Sequence, residues 1–265
     1  MATQNDRKLN WLEQNLPEGL LVDAAWMTRN GYSTGLRSQY VSAGWLEQPT
    51  RSVYRRPRGE LSWQQVVISM QKMLEMPVWA GGRMALDALG YSHYISPVGH
   101  QEIHLYGDKT PPGWLYKLPL KEPFFFHNAK KLFGDAISTD PLHNSLKQIP
   151  WGQWNWPLTL STPERALLEL LDELPSHESF HQVDVLVEGL SNLSPRRLQK
   201  LLEDCRSVKV KRLFFWFADR HQHAWFKRLD KSRIDLGKGK RMIVRGGKFD
   251  PIYQITVPRE MYAHE

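Results

Sequence analysis

The stretch from Asp23 to Pro57 places the strongest constraint on the fold, because two short helix patterns, a glycine turn and an arginine-rich ribbon follow one another directly. Its sequence is DAAWMTRNGYSTGLRSQYVSAGWLEQPTRSVYRRP. The apolar segment that opens it stops at Gly31, where glycine can adopt the left-handed conformation that ends a helix. A second helix is predicted to follow, with the hydroxyl of Ser33 or Thr34 as its N-cap.

The second helix is predicted to have one apolar and one polar face. Leu36, Tyr40 and Val41 are spaced to face inward. The side chains expected on the opposite, outward face are Arg37, Ser38 and Gln39. These side chains suit phosphate oxygens and base edges in a DNA major groove, which is where the second helix of a helix-turn-helix lies.

After Gly44 the pattern changes to alternation, which indicates strands. Two short strands are predicted at Trp45-Leu46 and Val53-Tyr54, around a turn at Gln48-Pro49-Thr50. Between Arg29 and Arg58 there are six arginines and one acidic residue. The arginines predicted to contact phosphate or the minor groove are Arg51, Arg55 and Arg56. The whole stretch therefore predicts a winged helix-turn-helix that binds DNA, with Ser33, Thr34, Arg37, Ser38 and Gln39 completing the contact set.

Two alternatives compete with this interpretation. Short helix-turn-helix patterns also occur in folds that never touch DNA, and a run of charge is usually a solvated face. Neither alternative requires a helix pair, a ribbon and one-sided arginine together, and this combination favours DNA binding.

The chain has 265 residues, enough for two or three domains. The predicted class is α+β: a winged helix-turn-helix over residues 1–59, a mixed α/β region over 60–160, and a helical region with a basic hairpin over 161–265. Strands are predicted at 78–80, 94–95, 102–106, 114–118 and 124–127, and a loop over 135–156. Residues 208–216 fit a buried strand or a helix, and periodicity cannot decide between them.

Two features of the middle region could be mistaken for sites. The pair Gly81-Gly82 could present N–H groups to an anion, although such pairs more often allow close packing of a strand against a helix. The helix that begins near Thr162 carries Glu169, Asp172 and Glu173, which we expect mainly on its solvent side and not in a catalytic site.

Composition excludes several classes of protein. The single cysteine, Cys205, excludes an internal disulfide framework, and no pair of thiols has metal-ligand spacing. His221 and His223 have no evident third ligand, so no metal and no cofactor is predicted. No run approaches the ~18 apolar residues that span a bilayer, and no secretory signal is present, so we expect no membrane contact and a cytoplasmic location.

Positive charge is concentrated a second time near the carboxyl end. Between Arg206 and Lys248 there are fourteen lysines and arginines against three acidic residues. A hairpin is predicted from 241–245 and 252–257 around Gly246-Gly247. The basic surface expected near its tip comprises Lys238, Lys240, Arg241, Arg245 and Lys248. It is either a solubilising loop or a contact for DNA, for a protein partner, or for that partner's RNA substrate.

In sequence, the chain resembles the AbiEi-like antitoxins of type IV toxin–antitoxin systems. The resemblance rests on three segments in order: YVSAGWLEQPTRSVYRRPRGELSW, then VWAGGRMALDALGYSHYI with EIHLYG, then LSTPERALLELLDEL. It implies an N-terminal winged helix-turn-helix that binds inverted repeats in its own promoter, and a C-terminal region with antitoxin activity. It also implies a nucleotidyltransferase-like toxin as partner, opposed without necessarily forming a stable complex.

We therefore expect a non-enzymatic transcriptional repressor with antitoxin activity. The chain lacks the Gly-Ser and paired acids with which a nucleotidyltransferase holds metal and nucleotide. The alternative is a DNA-targeted nuclease or other nucleic-acid-processing enzyme. Restriction-type nucleases place Glu and Lys two residues apart, and no glutamate here is followed by lysine at that spacing.

Overall fold

The computed structural model describes residues 4–91, 102–134 and 145–262. Residues 4–59, which we call the head, form three helices and a small sheet. Its elements are α1 (Gln4–Asn15), β1 (Leu21–Asp23), α2 (Ala24–Arg29), α3 (Thr34–Ser42), β2 (Glu47–Thr50) and β3 (Val53–Arg55). The strands are antiparallel, in the order β1-β3-β2. The predicted helix pair and the predicted strand at Val53-Tyr54 are confirmed, and β1 is an additional strand. The predicted strand at Trp45-Leu46 is wrong, because the first strand of the ribbon begins only at Glu47.

The turn of the ribbon lies further along the chain than predicted. Thr50 pairs with Val53, so the turn consists of Arg51 and Ser52, and Ser52 has a φ of 66°. The predicted turn at Gln48-Pro49-Thr50 is wrong because these residues belong to β2. A strand at the edge of a sheet tolerates proline, whose missing N–H faces away from the neighbouring strand.

The rest of the described chain, which we call the body, contains a five-stranded sheet. Its first elements are α4 (Trp63–Ile68), β4 (Val78–Ala80), α5 (Gly82–Ala88), β5 (Ile103–Gly107), β6 (Phe124–Asn128), β7 (Leu146–Trp151) and β8 (Trp156–Ser161). The strand order is β6-β5-β4-β8-β7. The pairs β5–β6 and β4–β8 are parallel, whereas β4–β5 and β7–β8 are antiparallel.

Two predictions for this region are wrong. Residues 114–118 do not form a strand, because the chain curls into a 3-10 turn in which the Leu115 N–H donates to the Pro112 carbonyl at 3.0 Å. The predicted loop over 135–156 contains β7, which pairs with β8 from Leu146 to Trp151. As an edge strand, β7 is largely exposed and therefore lacks clear apolar alternation. Residues 135–144, like the predicted strand at 94–95, lie outside the described residues.

Four helices follow the sheet: α6 (Pro163–Asp172), α7 (Phe180–Gly189), α8 (Pro195–Asp204) and α9 (Val208–His221). Residues 208–216 are therefore helical. α6 contacts α5, α8 and α9, so most of its surface is covered. The expectation that Glu169 and Glu173 lie on the solvent side is wrong, because both are buried. Among the described helices, none is long and apolar enough to cross a membrane.

Glu169 explains the glycine pair. A Cβ at Gly81 would lie 2.1 Å from Oε2 of Glu169, so only glycine allows α6 to approach β4 this closely. Oε2 accepts from the Gly82 N–H at 3.1 Å and from Ser161 Oγ at 2.7 Å. The role of Gly81 and Gly82 is thus to allow close packing of the strand against the helix. The anion that the Gly82 N–H binds is the side chain of Glu169. Arg165 Nε also donates to Glu169, at 2.9 Å.

The carboxyl end forms a third sheet from β9 (Arg241–Met242), β10 (Lys248–Asp250) and β11 (Ile255–Val257), in the order β10-β11-β9. The predicted hairpin is wrong, because 241–242 runs parallel to β11 and the antiparallel partner of β11 is β10. Head and body share one continuous cluster of buried apolar side chains. The division at residues 59 and 160 therefore stays a prediction.

Candidate nucleic-acid interface

Each helix of the α2–α3 pair begins with a side-chain cap. Oδ1 of Asp23 accepts from the Trp26 N–H at 2.7 Å and begins α2. Oγ of Ser33 accepts from the Leu36 N–H at 3.3 Å and begins α3. Between them Gly31 has a φ of 80°, a left-handed conformation that glycine adopts without steric cost.

Tyr32 holds this turn against α1. Its ring is buried, and its O–H donates to the Lys8 carbonyl at 2.8 Å. Burial, together with the nearby Tyr40, raises the pKa of Tyr32 to about 12, so the phenol stays a neutral donor at physiological pH. The orientation of α3 is therefore set by buried contacts on its inner side.

The outer face of α3 is polar and exposed. Thr34, Ser38, Gln39 and Ser42 are all exposed along it. Arg51, at the ribbon turn, and Arg29, at the end of α2, are also exposed. Ser38, Gln39 and Arg51 thus lie where the sequence placed them. Arg29 and Ser42 were not among the predicted contacts, although the position of Ser42 one turn beyond Ser38 could have indicated it.

Arg37 faces inward, and the expectation that it lies on the outer face is wrong. Its guanidinium donates to the Ala24 carbonyl at 3.0 Å and to Oγ1 of Thr34 at 2.9 Å, and lies over the Tyr54 ring. Each helical residue advances by about 100°, which places position 37 between Tyr40 and Val41, on the inner side. Arg37 therefore joins the start of α2 to the start of α3.

Arg55 and Arg56, which were predicted to contact phosphate or the minor groove, bond within the head instead. Arg55 lies opposite Glu47 on the neighbouring strand, and its Nε donates to that carboxylate at 2.6 Å. Arg56 donates to the Leu16 carbonyl at 3.2 Å and to Glu18 at 3.3 Å. These arginines tie the ribbon and its exit to one another and to α1.

The two remaining predicted residues, Ser33 and Thr34, are exposed but serve the helix start. Their hydroxyl oxygens accept from the Leu36 N–H and from Arg37, respectively. A hydroxyl oxygen that accepts still carries one O–H donor, which can point outward. Both side chains therefore combine a structural bond with a donor available at the surface.

The basic C-terminal surface is exposed throughout: Lys238, Lys240, Arg241, Arg245 and Lys248. Two of these cations lie over aromatic rings. Lys240 lies 5.1 Å from the ring centre of Phe249, and Lys248 lies 3.9 Å from that of Tyr262. Met242 and Ile252, in the same C-terminal segment, are 67% and 72% exposed, so this segment exposes both cations and apolar side chains. Such a mixture is more typical of a binding surface than of a solubilising loop.

Comparisons with known proteins agree with this architecture. A family model described as "Transcriptional regulator, AbiEi antitoxin N-terminal domain" matches residues 5–97. A second, described as "Transcriptional regulator, AbiEi antitoxin, Type IV TA system", matches residues 100–258. A comparison with curated proteins finds no match.

A similar solved structure is the crystal structure of the RV2827C protein from Mycobacterium tuberculosis. It has 16% identity and a TM-score of 0.58, and the match covers 96% of this chain and 92% of that one. At this identity the likeness concerns the fold alone. Together the two family models account for nearly the whole sequence, head and body alike, and the chain therefore belongs to the AbiEi antitoxin family of type IV toxin–antitoxin transcriptional regulators.

Proposed function

We propose that the head is a winged helix-turn-helix that binds inverted repeats upstream of the chain's own gene, and that the protein thereby represses its own transcription. The observations that carry this proposal are the exposed polar face of α3 and the exposed Arg29 and Arg51, at the end of α2 and at the ribbon turn. A helix of this kind fits the major groove, which is about 12 Å wide, and Gln39 and Ser38 can reach base edges there.

The two exposed arginines have a different role. Arg29 and Arg51 contact the phosphate backbone, which sets affinity and register but carries no direct sequence information. Arg37, Arg55 and Arg56 act indirectly, because they hold the turn and the ribbon in the shape that presents α3.

Filter binding to the DNA upstream of the gene, repeated over a series of salt concentrations, tests this proposal. We expect affinity to fall steeply with salt, since each neutralised phosphate releases counterions. Gln39→Ala should weaken cognate binding by about 1–3 kcal/mol and relax specificity at one base pair. Gln14→Ala, an exposed glutamine on α1, is the matched control and should bind as the wild type does. Affinity that is flat with salt, or equal in both variants, would contradict the proposal.

We further propose that the antitoxin activity opposes a nucleotidyltransferase-like toxin and uses the basic C-terminal surface. The mixture of cations with Met242 and Ile252 fits an acidic partner that also offers apolar contacts. Charge reversal of Lys238, Lys240 and Arg241 should abolish rescue of growth when the neighbouring gene product is co-expressed. Repression of a promoter reporter should persist in the same variant, which separates the two activities. Full rescue of growth by the variant would show that antitoxin activity does not use this surface.

The protein acts by binding and not by turnover in this proposal. Plasmid DNA incubated with the protein and Mg²⁺ or Mn²⁺ should stay intact. Cleavage that a single acidic-to-alanine change removes would establish the nuclease alternative instead.

A further inference from the structure

A group of ionisable side chains lies between the body sheet and the end of α6. β5 and β6 are parallel neighbours, with His104 opposite Phe125 and Tyr106 opposite His127. Paired positions share one face of a sheet, so both imidazoles project from the same side. Glu173, the C-cap residue of α6, contacts both imidazoles. Three separate elements thus deliver two histidines and a carboxylate to one place.

The candidate ligand atoms are close to one another. Nδ1 of His104 lies 2.9 Å from Nε2 of His127 and 3.7 Å from Oε2 of Glu173. One ligand atom from each of the three residues fits within 4.8 Å of the others. Ligands 2.0–2.1 Å from a tetrahedral Zn²⁺ are separated by roughly 3.3 Å. The observed separations bracket that value, so small side-chain movements suffice to enclose an ion.

The surroundings orient His104 as in established metal sites. A histidine that ligates through one ring nitrogen usually donates its other N–H to a carboxylate. Nε2 of His104 lies 3.4 Å from Oε2 of Glu102, on the side away from His127. The same carboxylate oxygen lies 2.8 Å from Nδ1 of His177. Glu102 therefore leaves Nδ1 of His104 directed toward the other two ligands.

The second oxygen of Glu173 is also supported. Its Oε1 lies 3.3 Å from Nδ1 of His127 and 3.5 Å from the Tyr106 hydroxyl. The His127 and Tyr106 rings stack at 4.7 Å, which fixes the imidazole plane. These contacts leave Oε2 of Glu173 for a ligand. The His104, His127 and Glu173 side chains are 6%, 25% and 8% exposed, so a narrow opening remains at His127.

The charge balance of the group suits a cation. The carboxylate of Glu173 is 8% exposed and faces two imidazoles. A buried carboxylate is costly unless a positive charge compensates it.

We propose that His104, His127 and Glu173 bind one divalent transition-metal ion of the zinc class, with Glu102 as the residue that positions His104. Two imidazoles and one carboxylate are a donor set that such ions favour, and the fourth position faces the opening at His127. The ion would join β5, β6 and the end of α6. This proposal replaces the expectation from sequence that the chain holds no metal, and it is independent of DNA binding.

A titration of the tag-free, chelator-treated full chain with Co²⁺ tests the proposal. Co²⁺ replaces Zn²⁺ in tetrahedral sites, and the visible absorption of bound Co²⁺ reports the coordination geometry. We expect one equivalent to bind with a tetrahedral spectrum, and Zn²⁺ to displace it. His127→Ala and the isosteric Glu173→Gln should each lower affinity by about 100-fold or more, and Glu102→Gln by about 10-fold to 100-fold, as for residues that orient a ligand. His181→Ala, an exposed histidine on α7, is the matched control and should leave the titration unchanged.

Thermal unfolding gives a second readout that also checks folding of the variants. Zn²⁺ at about 100 times its Kd should raise the midpoint of the wild type by at least 5 °C and leave Glu173→Gln unmoved. Absence of stoichiometric Co²⁺ binding to the wild type would overturn the proposal. So would unchanged affinity in both His127→Ala and Glu173→Gln. Loss of binding in His177→Ala with retention in His127→Ala would overturn it too, because the ion would then lie on Glu102, His104 and His177.

Discussion

The head and the body place their polar side chains in opposite ways. The outer face of α3 keeps Ser38 and Gln39 exposed, whereas the body buries Arg165 and Glu169 of α6 together with His104 and Glu173. A buried polar group needs an internal partner, because its desolvation is otherwise uncompensated. The exposed polar face can therefore serve an external ligand such as DNA, and the buried polar groups are committed to the fold or to an ion inside it.

The comparison also shows that the number of arginines in the sequence overstates the positive charge on the surface of the head. The head is rich in arginine, yet Arg37, Arg55 and Arg56 donate mainly to carbonyls and carboxylates of the head itself. Of the six arginines between positions 29 and 58, Arg29 and Arg51 are the exposed ones. The positive charge on the surface of this stretch is consequently smaller than the sequence suggests.

The largest expected effect contrasts a body glycine with a head glycine. In Gly81→Ala the new Cβ would meet Oε2 of Glu169 and the Tyr106 ring, where the carboxylate is held by several donors and cannot withdraw. We expect a loss of about 3 kcal/mol in the free energy of unfolding. Gly35→Ala, in α3, meets no atom within 4 Å and should be neutral or stabilising by up to about 1 kcal/mol. Urea unfolding measures both, and equal losses would refute the contrast.

The next effect separates an inward from an outward residue on the same helix. Arg37→Ala removes the bonds to Ala24 and Thr34, and we expect it to lower the free energy of unfolding by about 2 kcal/mol. Gln39→Ala should leave stability within about 0.5 kcal/mol and affect DNA affinity alone. Thermal unfolding and filter binding on both variants decide the point. An Arg37→Ala protein of wild-type stability with lost specificity would restore Arg37 as a base contact.

A smaller effect tests the exposed arginine at the ribbon turn. Arg51→Ala should weaken binding about equally for cognate and unrelated DNA, and lower the slope of log affinity against log salt by about one phosphate contact. Arg196→Ala, an exposed arginine on α8, is the control. A change in specificity without a change in slope would show that Arg51 reads a base.

The smallest effect concerns a half-buried ion pair of the body. Burial acts to raise the pKa of Asp184, but hydrogen bonds from His221 and Arg220 outweigh it and lower that pKa below its usual value. A lowered carboxyl pKa contributes stability that is present above the unfolded pKa, near 4, and is lost as pH falls through the folded value. Asp184→Asn should therefore cost at most about 1 kcal/mol at neutral pH and flatten the fall in thermal midpoint below about pH 4. If the thermal midpoints of the wild type and Asp184→Asn fell in parallel as the pH is lowered, the result would contradict this prediction.

Local signals predicted much of this molecule because they act within a few residues. The cap at Ser33 and the left-handed Gly31 each stabilise a helix end through neighbouring backbone groups. The strand at 78–80 is also evident, since buried strands carry continuous apolar runs. Such features depend little on the rest of the chain.

The sequence by itself was enough to predict the family, the helix pair of the head, and the exposed positions of Ser38, Gln39 and Arg51. Only the tertiary structure decided that Arg37 faces inward, that β9 runs parallel to β11, and that α6 buries Glu169 and Glu173. It also brought together His104, His127 and Glu173, which are widely separated along the chain. The physical reason is that caps and periodicity express interactions between near neighbours. The direction of a side chain and the partners of a buried charge depend instead on elements that are distant in sequence and meet only when the chain packs.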